Sequence, residues 1–219
     1  MITRKRFIHA GAALAAVSLA ACTDADTPNS YQATVKKIWQ LESSPISGAL
    51  ALQRELVRYA TLTPSGHNTQ CWKFRIAANA ITILPDLTRR TPVVDPDDHH
   101  VFVSLGCALE NMAQASLAFG LKSQAQFDTA SNALTVALDP TKSVVSPLYR
   151  AIPARQCTRS LYDSKTVSTP DLKLLESAGT GIAVRVLLFT AEPEMEKILE
   201  LALQGNTTQL SDAAFVKEL

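Results

Sequence analysis

A long apolar segment at residues 101–119 constrains the fold of this chain more than any other feature. Apolar or small side chains fill most of its positions, among them Val103, Gly106 and Met112. A helix of this composition is hydrophobic around most of its circumference, so it needs partners on more than one face. Gly120 then supplies a helix stop. We therefore expect a central helix that is buried on most sides, with the other elements packed around it.

The remaining patterns mix helical and strand periodicity. Apolar residues at helical spacing predict helices at residues 31–41, 50–62, 171–177, 192–203 and 215–219. Apolar, β-prone runs predict strands at residues 71–76, 80–84, around 127, 134–138 and 183–189. Between them we expect a charged connection at residues 86–98 and a polar, basic junction at 147–159. This mixture predicts an α+β fold in which helices pack on a mainly antiparallel sheet.

Composition describes an ordinary globular protein. The 219 residues are 47% hydrophobic and 19% charged, enough for one sizeable core or two small ones. The formal net charge is +1, from 21 basic and 20 acidic residues. Loss of the leader described below would remove three basic and no acidic residues, leaving −2. This charge gives no electrostatic case for a nucleic-acid partner.

The first 21 residues resemble a removable export signal. Arg4, Lys5 and Arg6 precede an apolar run at residues 10–21, which is shorter than the ~20 residues that span a bilayer. Its last residues, followed by Cys22, resemble a bacterial lipobox, so we expect a lipidated Cys22 and a polar tether over residues 22–30. This predicts an exported lipoprotein of the bacterial cell envelope, on the periplasmic face or the outer membrane. The alternative is an ordinary secretory signal, and a twin-arginine-like route and the general route both stay open.

A turn at residues 62–74 carries the first candidate site. Pro64 and Ser65 lead into a segment that presents His67, Asn68 and Gln70 before an aromatic, β-prone run. Each carboxamide offers one acceptor and two N–H donors, which suits a flat heterocycle such as the edge of a flavin ring. The alternative is a simple turn between a helix and a strand.

A second candidate site is a pair of arginines four residues apart. The guanidinium groups of Arg155 and Arg159 suit a phosphate dianion, which they can bind in a bidentate manner. The alternative is an exposed basic turn.

Four segments together resemble the FMN-dependent nitroreductase family, in particular its long, internally duplicated Acg-like branch. Residues 60–72 resemble the A-x-x-x-P-S-x-x-N-x-Q-P-W flavin loop, and residues 86–96 the D-x-x-R-x-x-P-x-x-D-P connection. Residues 104–111 resemble the S-x-G-x-A-L-E-N helix, and residues 152–159 the R-x-[ST]-x-R phosphate motif. The order and spacing of the four are more specific than any one of them.

The resemblance implies both a fold and an activity. The fold would be nitroreductase-like, with a first half at residues 31–150 and a second half that begins at 151 and is incomplete at 219. The activity would be hydride transfer from NADH or NADPH through FMN to a quinone, nitroaromatic or similar acceptor. No side chain would act as nucleophile or metal ligand. The cofactor-binding residues would be Ser65, His67, Asn68, Gln70, Arg155, Cys157 and Arg159.

Departures from the family pattern leave two other functions open. Cys71 stands where proline is usual, and Cys157 stands at the hydroxyl position of the phosphate motif. With a shortened second half, the chain could be a non-catalytic FMN-binding lipoprotein or an inactive fragment. An exposed apolar helix surface in such a chain predicts possible self-association.

The remaining cysteines and histidines give no recognised metal or disulfide pattern. Cys71, Cys107 and Cys157 are widely spaced and odd in number, so we expect buried, unpaired thiols. A zinc site using His67, His99, His100 and two of these cysteines lacks a recognised ligand spacing. We expect His99 and His100 to be solvated residues at a helix start, and Arg89 and Arg90 to be a solvated loop pair.

Overall fold

The computed structural model describes residues 30–163, 165–181 and 184–219. The predicted leader, the lipidation site Cys22 and the tether as far as residue 29 lie outside the described residues. The chain divides into one unit that runs to Gly48 and a second that spans Ala49–Leu219. Helix α1 (Ser30–Ile38) lies in the first unit and ends earlier than the predicted residue 41.

The second unit combines helices with a single sheet, which confirms the predicted α+β class. Its elements follow in chain order: α2 (Ala49–Thr61), β1 (Trp72–Ala77), β2 (Ala80–Pro85), α3 (His99–Ala118), β3 (Leu121–Asp128), β4 (Ala133–Pro140), α4 (Pro147–Ala151), α5 (Thr169–Gly179), α6 (Glu192–Leu210) and α7 (Ala213–Glu218).

The four strands form an antiparallel sheet in the order β1-β2-β4-β3. Side chains alternate across it as the strand period requires. On β2, Ile81 and Ile83 are fully buried, and their partners on β4 are Val136 and Leu134. On β1, Lys73 and Arg75 point to the exposed face. One face of the sheet is therefore covered and the other is largely open.

Helices α2 and α3 supply the rest of the core. Leu56 and Tyr59 of α2 and Leu105 and Met112 of α3 are fully buried in one cluster with the inward side chains of β2 and β4. Burial of side chains of this size contributes about 1.5–3 kcal/mol each. Trp72, the first residue of β1, belongs to the same cluster. Its burial therefore holds the C-terminal end of the segment between α2 and β1 against the core.

The sequence predicts that helix α3 is buried on most sides. In the structure it is buried on one face only. Its buried residues recur at the spacing of a single face: Val101, Ser104, Leu105, Ala108, Met112, Ala115 and Ser116. Val103 is 49% exposed and Gly106 is also exposed. The physical reason is that the partners of this helix, α2 and the sheet, both pack against this one face in a single cluster. By length and composition α3 could cross a membrane, but a core helix passes the same test.

The sequence predicts a polar, basic junction at residues 147–159. In the structure this segment also contains a short helix and two residues of the core. Ser146 caps helix α4 by accepting a hydrogen bond from the backbone N–H of Tyr149 at 3.0 Å, and Pro147 occupies the first turn. Tyr149 and Ile152 are buried in the core. The hydroxyls of Tyr59 and Tyr149 are 2.7 Å apart, and burial raises the pKa of Tyr149, which keeps its hydroxyl protonated. This packing ties the junction to α2.

The C-terminal part of the chain differs most from expectation. Helices α5 and α6 form near their predicted positions, but none of their residues is buried. The predicted strand at 183–189 is wrong over the described residues 184–189, where one bridge between Gly181 and Val184 is the sole pairing. A strand needs a neighbour for its backbone groups, and neither edge of the four-stranded sheet provides one here.

We propose that self-association covers the apolar surface of this region. Seven leucine side chains of α5, of residues 184–189 and of α6 are each more than half exposed: Leu174, Leu175, Leu187, Leu199, Leu201, Leu203 and Leu210. Replacing both Leu199 and Leu203 by Glu should weaken self-association at least tenfold, because each leucine side chain that becomes buried on association contributes about 1.5–3 kcal/mol. Light scattering after size exclusion over a range of concentrations measures this. Replacement of the exposed Gln204 and Asn206 with Glu is the charge-matched control, and a monomeric wild type at every concentration would contradict the proposal.

Candidate functional site

The predicted turn forms a loop of unusual backbone conformation between α2 and β1. A short 3₁₀ turn spans Gly66–Asn68, and three residues have positive φ: His67 at 48°, Asn68 at 57° and Gln70 at 50°. Such values are uncommon outside glycine, and clusters of them occur at ligand-binding sites. The same three side chains are exposed. The loop therefore holds the predicted ligand-facing residues in a conformation that costs free energy.

Hydrogen bonds inside the loop maintain this conformation. The hydroxyl of Ser65 accepts from the backbone N–H of Gln70 at 3.0 Å, and the hydroxyl of Thr69 donates to the carbonyl of Gly66 at 3.0 Å. Ser65 was predicted to contact a cofactor. In the structure its oxygen first serves to close the loop, while its hydroxyl hydrogen is available to another acceptor.

The first turn of α3 supports the loop from behind. The backbone N–H of Gly66 donates to the hydroxyl of Ser104 at 3.2 Å, and that hydroxyl donates to the carbonyl of His100 at 2.6 Å. A Cβ atom on Gly66 would lie 3.1 Å from the Cβ of His100. A side chain at Gly66 would push the loop away from α3, so the close approach explains the glycine.

Arg89 and Arg90 are fastened by contacts that the sequence analysis did not foresee. Arg89 donates to the carbonyl of Thr69 at 3.0 Å and lies 3.7 Å from Asp86, while Arg90 pairs with Asp98 at 3.0 Å. Both arginines remain exposed. Both are thus solvated, as expected, and Arg89 in addition braces the loop through the carbonyl of Thr69.

Asp86 is the carboxylate that lies next to the guanidinium of Arg89. Hydrogen bonds from the Lys73 ammonium at 2.8 Å and from the Thr88 hydroxyl at 2.7 Å lower the pKa of Asp86 to about 2. Its carboxylate therefore stays ionised at neutral pH. The negative charge keeps Arg89 close to the loop.

His100 is an exposed residue at the start of α3, as expected, and its ring also pairs with a buried carboxylate. The ring nitrogen Nδ1 lies 3.1 Å from Asp95 Oδ1, and the backbone N–H groups of His100 and Val101 donate to Oδ2 at 2.9 and 3.4 Å. Burial opposes ionisation of Asp95, but these hydrogen bonds outweigh it and hold its pKa below the ordinary value. His99 is exposed, with its ring centroid 5.5 Å from that of His100.

A glutamate near the end of the described chain supports the same connection. One oxygen of Glu218, in α7, accepts hydrogen bonds from the backbone N–H groups of Val93 and Val94, each at 2.8 Å. These groups directly precede Asp95. The position of the Asp95–His100 pair thus depends on α7 as well as on α3.

The structure brings Arg155 to the loop across 93 residues of chain. Its guanidinium donates to the carbonyl of Leu62 at 3.0 Å, at the point where α2 gives way to the loop, and to the sulfur of Cys157 at 3.7 Å. Arg159 and Cys157 are exposed. Of the three cysteines expected to be buried, Cys71 is buried, Cys107 is half-buried and Cys157 is exposed. No sequence pattern predicted the contact between Arg155 and Leu62.

The residues on this surface suit a flavin mononucleotide. Exposed carboxamides at Asn68 and Gln70 match the alternating donors and acceptors of a flavin edge, and a guanidinium at Arg155 matches a phosphate. Within the described residues no group of three or more His, Cys, Asp or Glu side chains is arranged to hold a metal ion. The residues that sequence reasoning missed are Arg89, Asp95, His100, Ser104 and Glu218. Of these, Arg89, Asp95 and Ser104 lie at defined positions of the motif-like segments 86–96 and 104–111, which is the signal that could have found them.

Comparisons with known proteins find two similar curated proteins and one similar solved structure. No family model matches the chain. Two curated proteins of Mycobacterium tuberculosis, from strains CDC 1551 and H37Rv, both carry the name "Putative NAD(P)H nitroreductase" and are each 26% identical over 175 residues. The match covers 76% of this chain and 49% of each relative, so the chain spans about half their length. A nitroreductase family protein from Streptococcus pneumoniae TIGR4 aligns over 59% of this chain and 90% of its own, with 13% identity and a TM-score of 0.36. The curated matches, together with the four sequence segments, relate this chain to the nitroreductase family.

Proposed function

We propose that this chain is an FMN-dependent oxidoreductase that passes a hydride from NADH or NADPH to a quinone, nitroaromatic or similar acceptor. The observation that carries the proposal is the loop at residues 65–70, whose strained backbone exposes two carboxamides, while the guanidinium of Arg155 is held at the carbonyl of Leu62, three residues before this loop. The names of the curated relatives support a nicotinamide as the reductant. When bound, FMN would supply the redox chemistry, and the protein would supply position and electrostatics.

The residues of the chain have separable tasks under this proposal. Asn68 and Gln70 would orient the flavin by hydrogen bonds to its polar edge. Arg155, half-buried and fixed to the carbonyl of Leu62, would hold the phosphate with little loss of side-chain entropy. Arg159, which is exposed, would add a second guanidinium from the same segment.

The proposed activity predicts turnover that depends on added FMN. Purified protein with FMN should oxidise NADH or NADPH when a quinone or a nitroaromatic is supplied, and the rate should saturate with FMN. Absorbance at the nicotinamide band measures this, with protein lacking FMN as the control. A protein that binds FMN but shows no turnover with either acceptor would instead support a storage role and contradict the proposal.

The phosphate assignment predicts a loss of FMN affinity in the arginine variants. Charge-assisted hydrogen bonds contribute about 1.5–3 kcal/mol, so Arg159→Ala and Arg155→Ala should each weaken binding roughly ten- to hundredfold. Quenching of FMN fluorescence measures the affinity, and circular dichroism checks the fold. Arg150→Ala is the matched control, since Arg150 is an exposed arginine of α4 outside the cluster. Unchanged FMN affinity in a variant that carries both Arg155→Ala and Arg159→Ala would contradict the assignment of these arginines to the phosphate.

We also propose that the protein is anchored in the cell envelope by a lipid on Cys22. The basis is the lipobox-like sequence before Cys22 behind a basic leader. A single acyl chain gives marginal membrane binding and additional chains make it stable. Mass spectrometry of protein from membrane fractions should find a mature N terminus at acylated Cys22, and Cys22→Ala should abolish this form. An intact Met1 terminus, or cleavage elsewhere, would contradict the anchor.

A further inference from the structure

A cavity lies at the end of β1 that is opposite to the loop at residues 65–70. The loop precedes the first residue of β1, whereas the cavity opens beside the turn that follows its last residue, roughly 17 Å further along the strand. The cavity has a volume of about 250 Å³ and is open to solvent on one side. Since an apolar cavity of about 150 Å³ holds benzene, this one has room for an aromatic ring with a short side chain.

Apolar side chains from three elements form the walls of this cavity. They are Leu52 of α2, Leu121 of β3 and Leu138 of β4, and Leu138 belongs to the hydrophobic core. Walls of this kind favour an apolar ligand body, because a ligand that covers them removes apolar surface from water.

Gln53 of α2 adds a polar atom of fixed orientation to the cavity. The residue is 6% exposed, and its Nε2 atom donates to the carbonyls of Ala77 at 2.6 Å and Ala78 at 3.3 Å. Because carbonyl oxygens only accept hydrogen bonds, the amide nitrogen must face them, which assigns the other amide atom as Oε1.

The Oε1 atom of Gln53 is left for a ligand. Gln53 lines the cavity, and no donor among the described residues forms a hydrogen bond with Oε1. Buried polar atoms are normally paired, and an unpaired one costs free energy. The cavity therefore favours a ligand that donates a hydrogen bond.

The charged residue that lines the cavity, within the described part of the chain, is Asp139. Its Oδ2 atom accepts from Gln124 at 3.3 Å, and none of the basic side chains that the structure describes lies within 4 Å of this carboxylate. Helix α2 begins beside the cavity, at Ala49, with the partial positive charge of a helix N terminus. An anion is therefore the ligand that a test must exclude.

We propose that this cavity binds a small organic ammonium ion with an apolar body, such as an arylalkylammonium. The apolar body lies between the three leucines, while the ammonium group donates to Oε1 of Gln53 and is attracted by the carboxylate of Asp139. The site is separate from the proposed oxidoreductase function, because the residues that line it include neither the loop at 65–70 nor Arg155.

Three ligands of similar shape and different charge test the proposal: phenethylammonium, phenethyl alcohol and hydrocinnamate. Each is titrated into the nitrogen-15-labelled full chain, and the amide signals are followed by NMR. We expect phenethylammonium to bind with a Kd on the order of 1 mM, the alcohol to bind more weakly and the carboxylate to bind least. The signals of Gln53, Asn79 and Leu138 should move, and those of Asn68 and Gln70 should not. Equal or tighter binding of hydrocinnamate, or no saturable shift at the cavity residues, would overturn the proposal.

Two variants that leave the Gln53 contacts in place locate the site. Asp139→Asn should weaken phenethylammonium binding about two- to fivefold, the range of exposed ion pairs, without changing that of the alcohol. Ala78→Phe, at an exposed position of the turn, should weaken both roughly tenfold or more by filling the cavity. Asp97→Asn is the matched control, since Asp97 is an exposed aspartate outside the cavity. Equal affinity in Asp139→Asn and Asp97→Asn, or in Ala78→Phe and the wild type, would contradict the site.

Gln53→Met tests the acceptor atom itself. It removes Oε1 and should weaken phenethylammonium binding roughly tenfold or more, the effect of losing a charge-assisted hydrogen bond. Because the change also removes the hydrogen bonds to Ala77 and Ala78, thermal unfolding checks that the variant is folded. Wild-type affinity in the folded variant would overturn the proposal, and if the variant does not fold, the Asp139 and Ala78 variants decide it.

Discussion

The packing of residues 147–155 against α2 is the interaction on which the candidate site depends. The buried hydroxyl pair of Tyr59 and Tyr149 and the buried side chain of Ile152 fix this segment to the core. Three residues beyond Ile152, the guanidinium of Arg155 donates to the carbonyl of Leu62. Leu62 lies three residues before the loop at residues 65–70. This contact holds Arg155 close in space to the segment that leads into the loop with the carboxamides, although the two lie far apart in the sequence.

The loop at residues 65–70 stores strain that the surrounding contacts compensate. Left-handed conformations of residues other than glycine cost about 1–3 kcal/mol each, and three of them occur within four positions. Asparagine adopts this conformation most readily, so the cost at Asn68 lies at the lower end. Hydrogen bonds from Arg89 to Thr69, from Gln70 to Ser65 and from Gly66 to Ser104 offset the cost. Strain that is retained in this way is typical of loops shaped to meet a ligand.

Apart from the strand at 183–189, the elements predicted from local pattern were found, whereas the contacts between distant segments were not predictable. Helix α2 and strands β1 and β2 followed from apolar spacing, and the loop between them from Pro64, Ser65 and Gly66. No periodicity indicates that Arg155 meets Leu62 or that Tyr149 meets Tyr59, because such contacts are set by tertiary packing. The strand predicted at 183–189 shows the opposite failure. Its composition favours a strand, but residues 184–189 find no partner along the sheet.

The central claim is that the loop at residues 65–70 has its strained shape in order to present carboxamides to FMN. The most direct test is the FMN affinity of a variant in which Asn68 and Gln70 are both replaced by Gly, since glycine accepts positive φ and only the amide groups are lost. Each neutral hydrogen bond contributes about 0.5–1.5 kcal/mol, so we predict a loss of roughly five- to hundredfold for the pair. Asn132→Gly is the matched control, because Asn132 has a φ of 52° in the exposed turn between β3 and β4. Equal FMN affinity in the double variant, the control and the wild type would contradict the account.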